Sequence, residues 1–411
     1  MPGRVVFDPG QPGLGDIDRK SRSQISDPGD RGYEPVAVGS WLFSPSIDAG
    51  VLYDDNIYQT RINRVGSWGA RLQPRFVAAR TTGIHDTTAY GLLDAKLYPD
   101  NTRANAVDGR VGLTHRYEIQ RDLVWRFQAD YTRRTDDETG YDVLNGLGVT
   151  RVYSDPQQVN EFFGSTSIQK TWGRFFVGLG GAVLSTLYED PKDALGRRVS
   201  QDEEDGTVFR AVGRVGYEIS PALYAFAEPS INWWNYNASY LDSTGYRIVG
   251  GLGSNRISLF KGEVFAGYQE QDFDNAIIEL VGGGVFGGRV SWFPTRDLTI
   301  TATADQTLSV SPSSRSVFAQ PEVTNTTGAG LQANWLAMRH IAARAQVGYQ
   351  RVQYENSVRD DNVWRAGLGL TYMITPRLGM VADYAYTMVD SNIRDESYRR
   401  NRVTIGARAQ F

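Results

Sequence analysis

Few side chains in this 411-residue chain could do covalent chemistry: three histidines, His85, His115 and His340, and no cysteine. None of the histidines stands at a metal-ligand spacing. A Ser-His-acid hydrolase needs a histidine between a nucleophile and a carboxylate, and His115 falls on the apolar face of an alternating segment. Gly178-Leu179-Gly180-Gly181 looks like a phosphate loop, but it lies inside a strand pattern with no helix behind it. Glycine there serves close packing or bending. The acidic runs Asp54-Asp55, Asp136-Asp137-Glu138 and Asp202-Glu203-Glu204-Asp205 offer oxygen ligands for divalent cations, or are solvated loop tips; their spacing matches no calcium loop. The expectation is no catalysis, no cofactor and no metal site.

The chemistry that remains is electrostatic. Parity along the alternating segments puts Arg71, Arg75, Arg110, Arg116, Arg126, Arg210, Arg214, Arg289, Arg344, Arg365, Arg402 and Arg408 on the polar face. Asp48, Asp94, Glu118, Asp130, Glu218, Glu228, Glu263, Asp305 and Asp383 share it. An arginine facing lipid at mid-depth costs roughly 2–4 kcal/mol, so this face must meet water or opposite charge. Two readings stay open. One is a hydrated, mildly cationic channel lining that favours anions. The other is a ladder of arginine–carboxylate pairs that stiffens a wall. Tyr224, Phe226, Trp234 and Tyr236, with Tyr90 and Phe163 elsewhere, also point to the polar face. They either present rings for stacking on a sugar or fill space.

The elements that must position these residues are strands. Leu123, Trp125, Phe127, Ala129 and Tyr131 alternate with Arg126, Gln128, Asp130 and Thr132. Leu298, Ile300, Ala302 and Ala304 alternate with Thr299, Thr301, Thr303 and Asp305, and 364–372 and 378–387 repeat the pattern. One face is apolar and the other polar at period two. No run approaches the ~18 apolar residues of a membrane helix, and alternation hides lipid-facing residues from a mean hydropathy of -0.39. Eight short turns, among them Ser220-Pro221, Gly253-Ser254-Asn255 and Thr375-Pro376-Arg377, alternate with nine longer polar connections, which predicts about 18 strands. The even count, with short turns at one end and long loops at the other, predicts an all-β, transmembrane antiparallel up-and-down barrel. The 134–156 connection is a candidate constriction. A soluble sandwich or propeller also alternates, but Tyr53, Tyr98, Tyr117, Tyr131, Tyr217, Trp233, Tyr268, Trp292, Trp335, Tyr349, Trp364 and Tyr372 recur near strand ends as interfacial girdles do.

Residues 1–39 are rich in Pro, Gly, Asp, Arg and Ser without periodicity and read as a largely irregular periplasmic extension; 40–411 form the barrel. No apolar signal-peptide core follows Met1, so the leader is expected to have been removed. The last segment alternates Val403, Ile405, Ala407, Ala409 and Phe411 against Arg402, Thr404, Gly406, Arg408 and Gln410. A strand closing on a terminal aromatic resembles the insertion signal of bacterial outer-membrane barrels. That resemblance implies recognition by the barrel assembly machinery, lipid and lipopolysaccharide as surroundings, and closure against a first strand near Phe43–Val51.

Arg31-Gly32-Tyr33-Glu34-Pro35, Gly39-Ser40-Trp41-Leu42-Phe43-Ser44-Pro45 and Tyr53-Asp54-Asp55-Asn56-Ile57 resemble the opening of the putative β-barrel porin 2 family. The hairpins at Tyr217–Leu223 and Tyr372–Leu378 look like its recurring turn. The resemblance spans most of 31–411 and implies an outer-membrane conduit for an exopolysaccharide, working with a periplasmic polysaccharide-export protein. It supplies no catalytic residues, and no nucleic-acid partner is expected. The alternative is a general or substrate-selective diffusion porin for small solutes, anions among them.

Overall fold

The structure is a computed structural model that describes residues 35–136, 157–192, 196–257, 259–275, 280–311, 322–354, 358–393 and 396–411. Most of the 1–39 extension, the greater part of the 134–156 connection, and Asp137 and Glu138 lie outside the described residues.

The strands in chain order are β1 (Val36–Val38), β2 (Trp41–Asp54), β3 (Ser67–Thr81), β4 (His85–Leu97), β5 (Ala106–Gln120), β6 (Leu123–Asp136) and β7 (Gln157–Trp172). They continue with β8 (Phe175–Tyr188), β9 (Gly206–Ser220), β10 (Leu223–Tyr236), β11 (Ser243–Ile257), β12 (Phe260–Phe273) and β13 (Val281–Thr295). The last are β14 (Leu298–Ser311), β15 (Glu322–Met338), β16 (Ile341–Tyr354), β17 (Asp360–Met373), β18 (Leu378–Ser391) and β19 (Tyr398–Gln410). From β2 to β19 each strand pairs antiparallel with the next, and β19 returns to β2, so 18 strands close into a barrel. A strand of 14 residues such as β2 extends about 46 Å and, tilted by about 40°, spans roughly 35 Å, enough for a bilayer core.

Period two sorts the wall as expected. Leu331, Trp335, Leu368, Leu370 and Ile405 are exposed on the outer face, and Trp335 and Trp364 lie among its aromatic residues. Tyr98 departs from the expected girdle. Leu97 takes the outward position, and Tyr98 turns inward to pack, 2% exposed, with Leu52 and Ile57 under the β2–β3 connection. The Gly253-Ser254-Asn255 turn is also displaced: β11 runs on to Ile257 through an irregularity after Ser254.

Closure of the ring falls where the first and last strands meet. Gln410 lies opposite Ser46 and Arg402 opposite Asp54. Pairing starts at Ser46 and not at Phe43, and β1 occupies the edge beyond it: Val36, Ala37 and Val38 pair with Phe43, Leu42 and Trp41. The tight turn between β1 and β2 needs Gly39 at φ +62°, a region costly for any residue with a Cβ. Across the seam, Arg408 Nε and Nη2 donate to the two oxygens of Asp48 at 2.7 and 2.9 Å, and Arg75 pairs with Asp48 at 2.6 Å.

One ladder is short. β13 and β14 pair over Gly287–Trp292 and at Thr295, while the external ends of both strands keep only their other neighbours, β12 and β15.

Asp48→Asn leaves Arg408, 5% exposed on its side chain, without its counter-charge. Loss of one partner of a buried pair costs about 3–5 kcal/mol, so the folded, detergent-resistant band is expected to convert to the unfolded form at a lower temperature on semi-native gels.

Candidate functional site on the inner wall

The inner face falls into three sectors that treat charge differently. Around the seam, from β19 through β2 to β6, most of the expected arginines meet carboxylates. Arg71 grips Asp94 with two bonds of 2.8 Å. Arg400 and Arg402 approach Asp54 at 2.7 and 3.5 Å. Arg110 lies 2.8 Å from Asp130, which also accepts from the Tyr90 hydroxyl. Arg116 contacts Glu118 at 2.9 Å and Asp86 at 3.3 Å, and Arg126 stands directly opposite it on β6. Lys96 bridges to Asp108 at 3.1 Å. Here the ladder reading describes the geometry.

The second sector, β8 to β13, is the most densely buried. Arg214 is 1% exposed. Its Nε donates to Glu228 at 2.7 Å, and Nη1 and Nη2 donate to Glu263 at 3.0 and 3.3 Å. Glu228 is its neighbour on β10, but Glu263 lies on β12, so one guanidinium ties three strands and reaches across β11. Glu263 also accepts from the Tyr224 hydroxyl, and the guanidinium sits 4.1 Å above the Phe226 ring. Tyr224 and Phe226 lie against Gly253 and Gly251 of β11, where a Cβ would collide with the rings. Phe176, Val249, Phe265 and Val285 complete a buried cluster. The rings therefore fill space and present no open stacking face, which is the second of the two readings above. Trp234 is likewise packed, edge-on to Phe273 at 6.3 Å between centroids.

Further guanidiniums crowd the same sector. Arg247 lies 4.8 Å over Phe265, with its Nε buried and unpartnered. Arg210 feels Glu228 electrostatically, and Arg289 stands opposite Glu263 in the ladder. No ion pair to a described carboxylate forms at Arg210, Arg247 or Arg289; both nearby carboxylates are bound by Arg214.

In the third sector, β14 to β18, inner charges are more open. Arg344 and Asp383 flank Gly369 from either side. Arg365 donates to Gln350, and exposed Asp305 accepts from Thr307 at 3.3 Å. Arg247, Arg400 and Lys96 are inner-wall charges that the sequence reading passed over, although parity with Val249, Arg402 and Asp94 marks each of them.

The described acidic loop residues do not gather as a metal site; no cluster of three or more ligand-type residues occurs among the described residues. Asp205 instead accepts the Tyr188 amide at 2.7 Å. Burial holds its pKa above the usual carboxylate range, with Asp202 and Asp190 pushing the same way.

The family model described as putative beta-barrel porin 2 matches residues 31–411. No curated protein matches the chain significantly. Among solved structures, the siderophore receptor PirA from Pseudomonas aeruginosa is similar at 11% identity and a TM-score of 0.40, over 90% of this chain and 80% of that one. An anion-selective porin from Comamonas acidovorans is similar at 13% identity and a TM-score of 0.35, over 90% and 99%. The outer membrane protein OpdK from Pseudomonas aeruginosa gives 10% and 0.40 over the same shares.

Arg214→Met strands two buried carboxylates and is expected to destabilise the barrel by about 3–5 kcal/mol. Adding Glu228→Leu and Glu263→Leu recovers most of that loss, whereas Arg365→Met at the open wall changes stability by no more than about 0.5 kcal/mol. Urea unfolding of the barrel in lipid vesicles reads all three.

Proposed function

Because the chain belongs to the putative β-barrel porin 2 family and closes into an 18-strand barrel with an apolar outer band, it is a bacterial outer-membrane protein, and we propose that it is a passive channel for small, negatively charged solutes. The observation that carries this reading is the charge left over on the inner wall of β9 to β13. Arg214 consumes Glu228 and Glu263, so Arg210, Arg247 and Arg289 remain as positive charge without a paired carboxylate. A one-signed lining between low-dielectric walls concentrates counter-ions, and rings of arginine favour anions in pores. Most other inner charges are internally neutralised and contribute wall stiffness.

Conduction of an exopolysaccharide, with a periplasmic export protein at the rim, is the finer expectation from the family resemblance. A sliding glycan would gain from exposed inner rings, and Tyr224 and Phe226 are 3% and 5% exposed. The surplus guanidiniums therefore favour the small-anion reading.

In planar bilayers under a KCl gradient, the barrel is expected to give a zero-current potential of the sign for chloride preference at low salt. The preference fades toward 1 M, where the screening length falls to about 3 Å. Arg210→Gln, Arg247→Gln and Arg289→Gln together should abolish it. Cation preference in the unmodified barrel would overturn the reading.

The Phe411 side chain is 62% exposed at the rim, while its amide donates to the Pro45 carbonyl at 3.2 Å. We propose that this ring is what the assembly machinery reads. Deleting Phe411 should slow outer-membrane assembly in pulse-chase experiments while leaving detergent refolding of the purified chain intact; assembly at the normal rate counts against the proposal.

A further inference from the structure

Closed barrels leave no strand edge in lipid, because lipid cannot satisfy backbone N–H and C=O groups. Among the described residues, this wall breaks that rule between β13 and β14. β13 and β14 share seven aligned pairs, against nine or more between every other pair of barrel neighbours. Beyond Gly287 and Asp305, Val281–Phe286 stays paired with β12, and Gln306–Ser311 stays paired with β15. The two ends part from each other on the external half of the wall.

The direction in which they part can be read from burial. Register along β14–β15 is unbroken, so Val323 has the same parity as Leu331 and Trp335, which are 49% and 51% exposed toward lipid. Val323 is nevertheless 0% exposed, packed in one cluster with Ala238, Leu241 and Phe273. Leu308, also of outward parity, packs there too, as does Val281. Phe273 and Val281 share the inward parity of Phe265 and Val285. The outward side of upper β14–β15 therefore rests on the inward side of upper β10–β13. The sheet overlaps itself, with β14–β15 as an inner leaf.

The sequence of the leaf agrees. Beside Leu308 and Val323, its outward positions here include Gln306, Asn325 and Thr327, with the Gln306 amide donating to Asn325 at 3.1 Å. Lower on the same face they are Leu298, Ile300, Leu331 and Trp335. Polar amides are costly in lipid and acceptable beneath another layer. The outer lip, by contrast, carries Gly282, Gly283 and Gly284, and so offers backbone with almost no side chain.

We propose that this overlap is a lateral portal, through which an amphipathic molecule with an apolar tail passes between the lumen and the outer leaflet. The chemistry of the slit selects that class. Peptide groups along the β13 lip that pair with no described strand on that side suit a polar head, and Val281, Leu308, Phe273 and Val323 suit a tail. Passage requires the inner leaf to lift from the cluster. The route is separate from the anion path, so the two readings fail separately.

The chain has no cysteine, so introduced pairs report alone. Leu241→Cys with Val323→Cys, bridged by oxidation or a short thiol-reactive crosslinker, clamps the leaf to the wall. Proteoliposomes are loaded with a fluorescent dodecyl sulfonate, whose permanent charge prevents unassisted crossing; its arrival in the outer leaflet is read by extraction into external serum albumin, which is too large to enter the bore. The unmodified barrel and the reduced clamp should deliver the probe, and the bridged clamp should fall to the rate of protein-free vesicles, with chloride conductance equal in all three. Delivery by the bridged clamp at the unmodified rate overturns the portal, as does an unmodified barrel that conducts chloride and retains the probe. A second pair tests the overlap itself. Phe286→Cys and Gln306→Cys would be direct neighbours if the ladder continued in register, so their spontaneous, complete bridging in the membrane would show a zipped wall and overturn the proposal.

Discussion

Everything in this protein depends on satisfying the peptide group where water is absent. A strand crossing lipid must pair on both edges, so the last strand must find the first. That requirement makes the β19–β2 register consequential. The ladder alone leaves register open to slippage by two residues, which would keep every side chain on its own face. Asp48 with Arg408 removes that freedom, because a two-residue slip would separate buried opposite charges, whereas Arg400 and Arg402, two apart on one face, share Asp54. β1 continues the same logic at the rim, pairing with the edge of Trp41–Phe43 that β19 is too short to cover.

The inner wall obeys a second form of the constraint. Many of its charges are buried from water as well as from lipid, and an unpaired buried charge is costly. In the seam sector the solution is local, with arginine and carboxylate on adjacent strands. Between β9 and β12 it is not. Arg214 reaches past β10 and β11 to Glu263, which requires low-lying neighbours in between. Gly251 and Gly253 supply the space, and the Phe226 and Tyr224 rings lie down in it. The planar fork of arginine suits this role, since it can bind two carboxylates in fixed directions where a lysine could not. Binding both acids with one cation is also what leaves Arg210, Arg247 and Arg289 uncompensated.

Much of this was legible in the chain. Period-two alternation and the rhythm of short turns and long loops gave eighteen barrel strands, and parity put the arginines on the polar face. What parity could not supply was partnership. Glu263 and Arg214 are 49 residues apart, and nothing in either segment marks the other. Tyr98 looked like a girdle residue because aromatic residues near strand ends usually are; only Leu97, one position earlier, signals that the outward place is taken. The overlap at β14–β15 was written as Gln306, Asn325 and Thr327 at outward positions. A pattern read one strand at a time treats such residues as noise, since it holds each strand to a single environment along its length.

The overlap and the surplus charge bear on each other. An 18-strand ring of circular section leaves a bore wide compared with the screening length of about 8 Å at physiological salt, and three guanidiniums on one wall would leave most of its cross-section unbiased. The inner leaf changes that geometry. By lying against upper β10–β13 it brings β14–β15 inward and takes up part of the cross-section beside the arginine-rich sector. A narrower passage brings more of the water path within reach of the same charges. In the anion channel we propose, the inward fold that interrupts the barrel's hydrogen-bonded wall is thus also what lets a few uncompensated arginines act on the path as a whole.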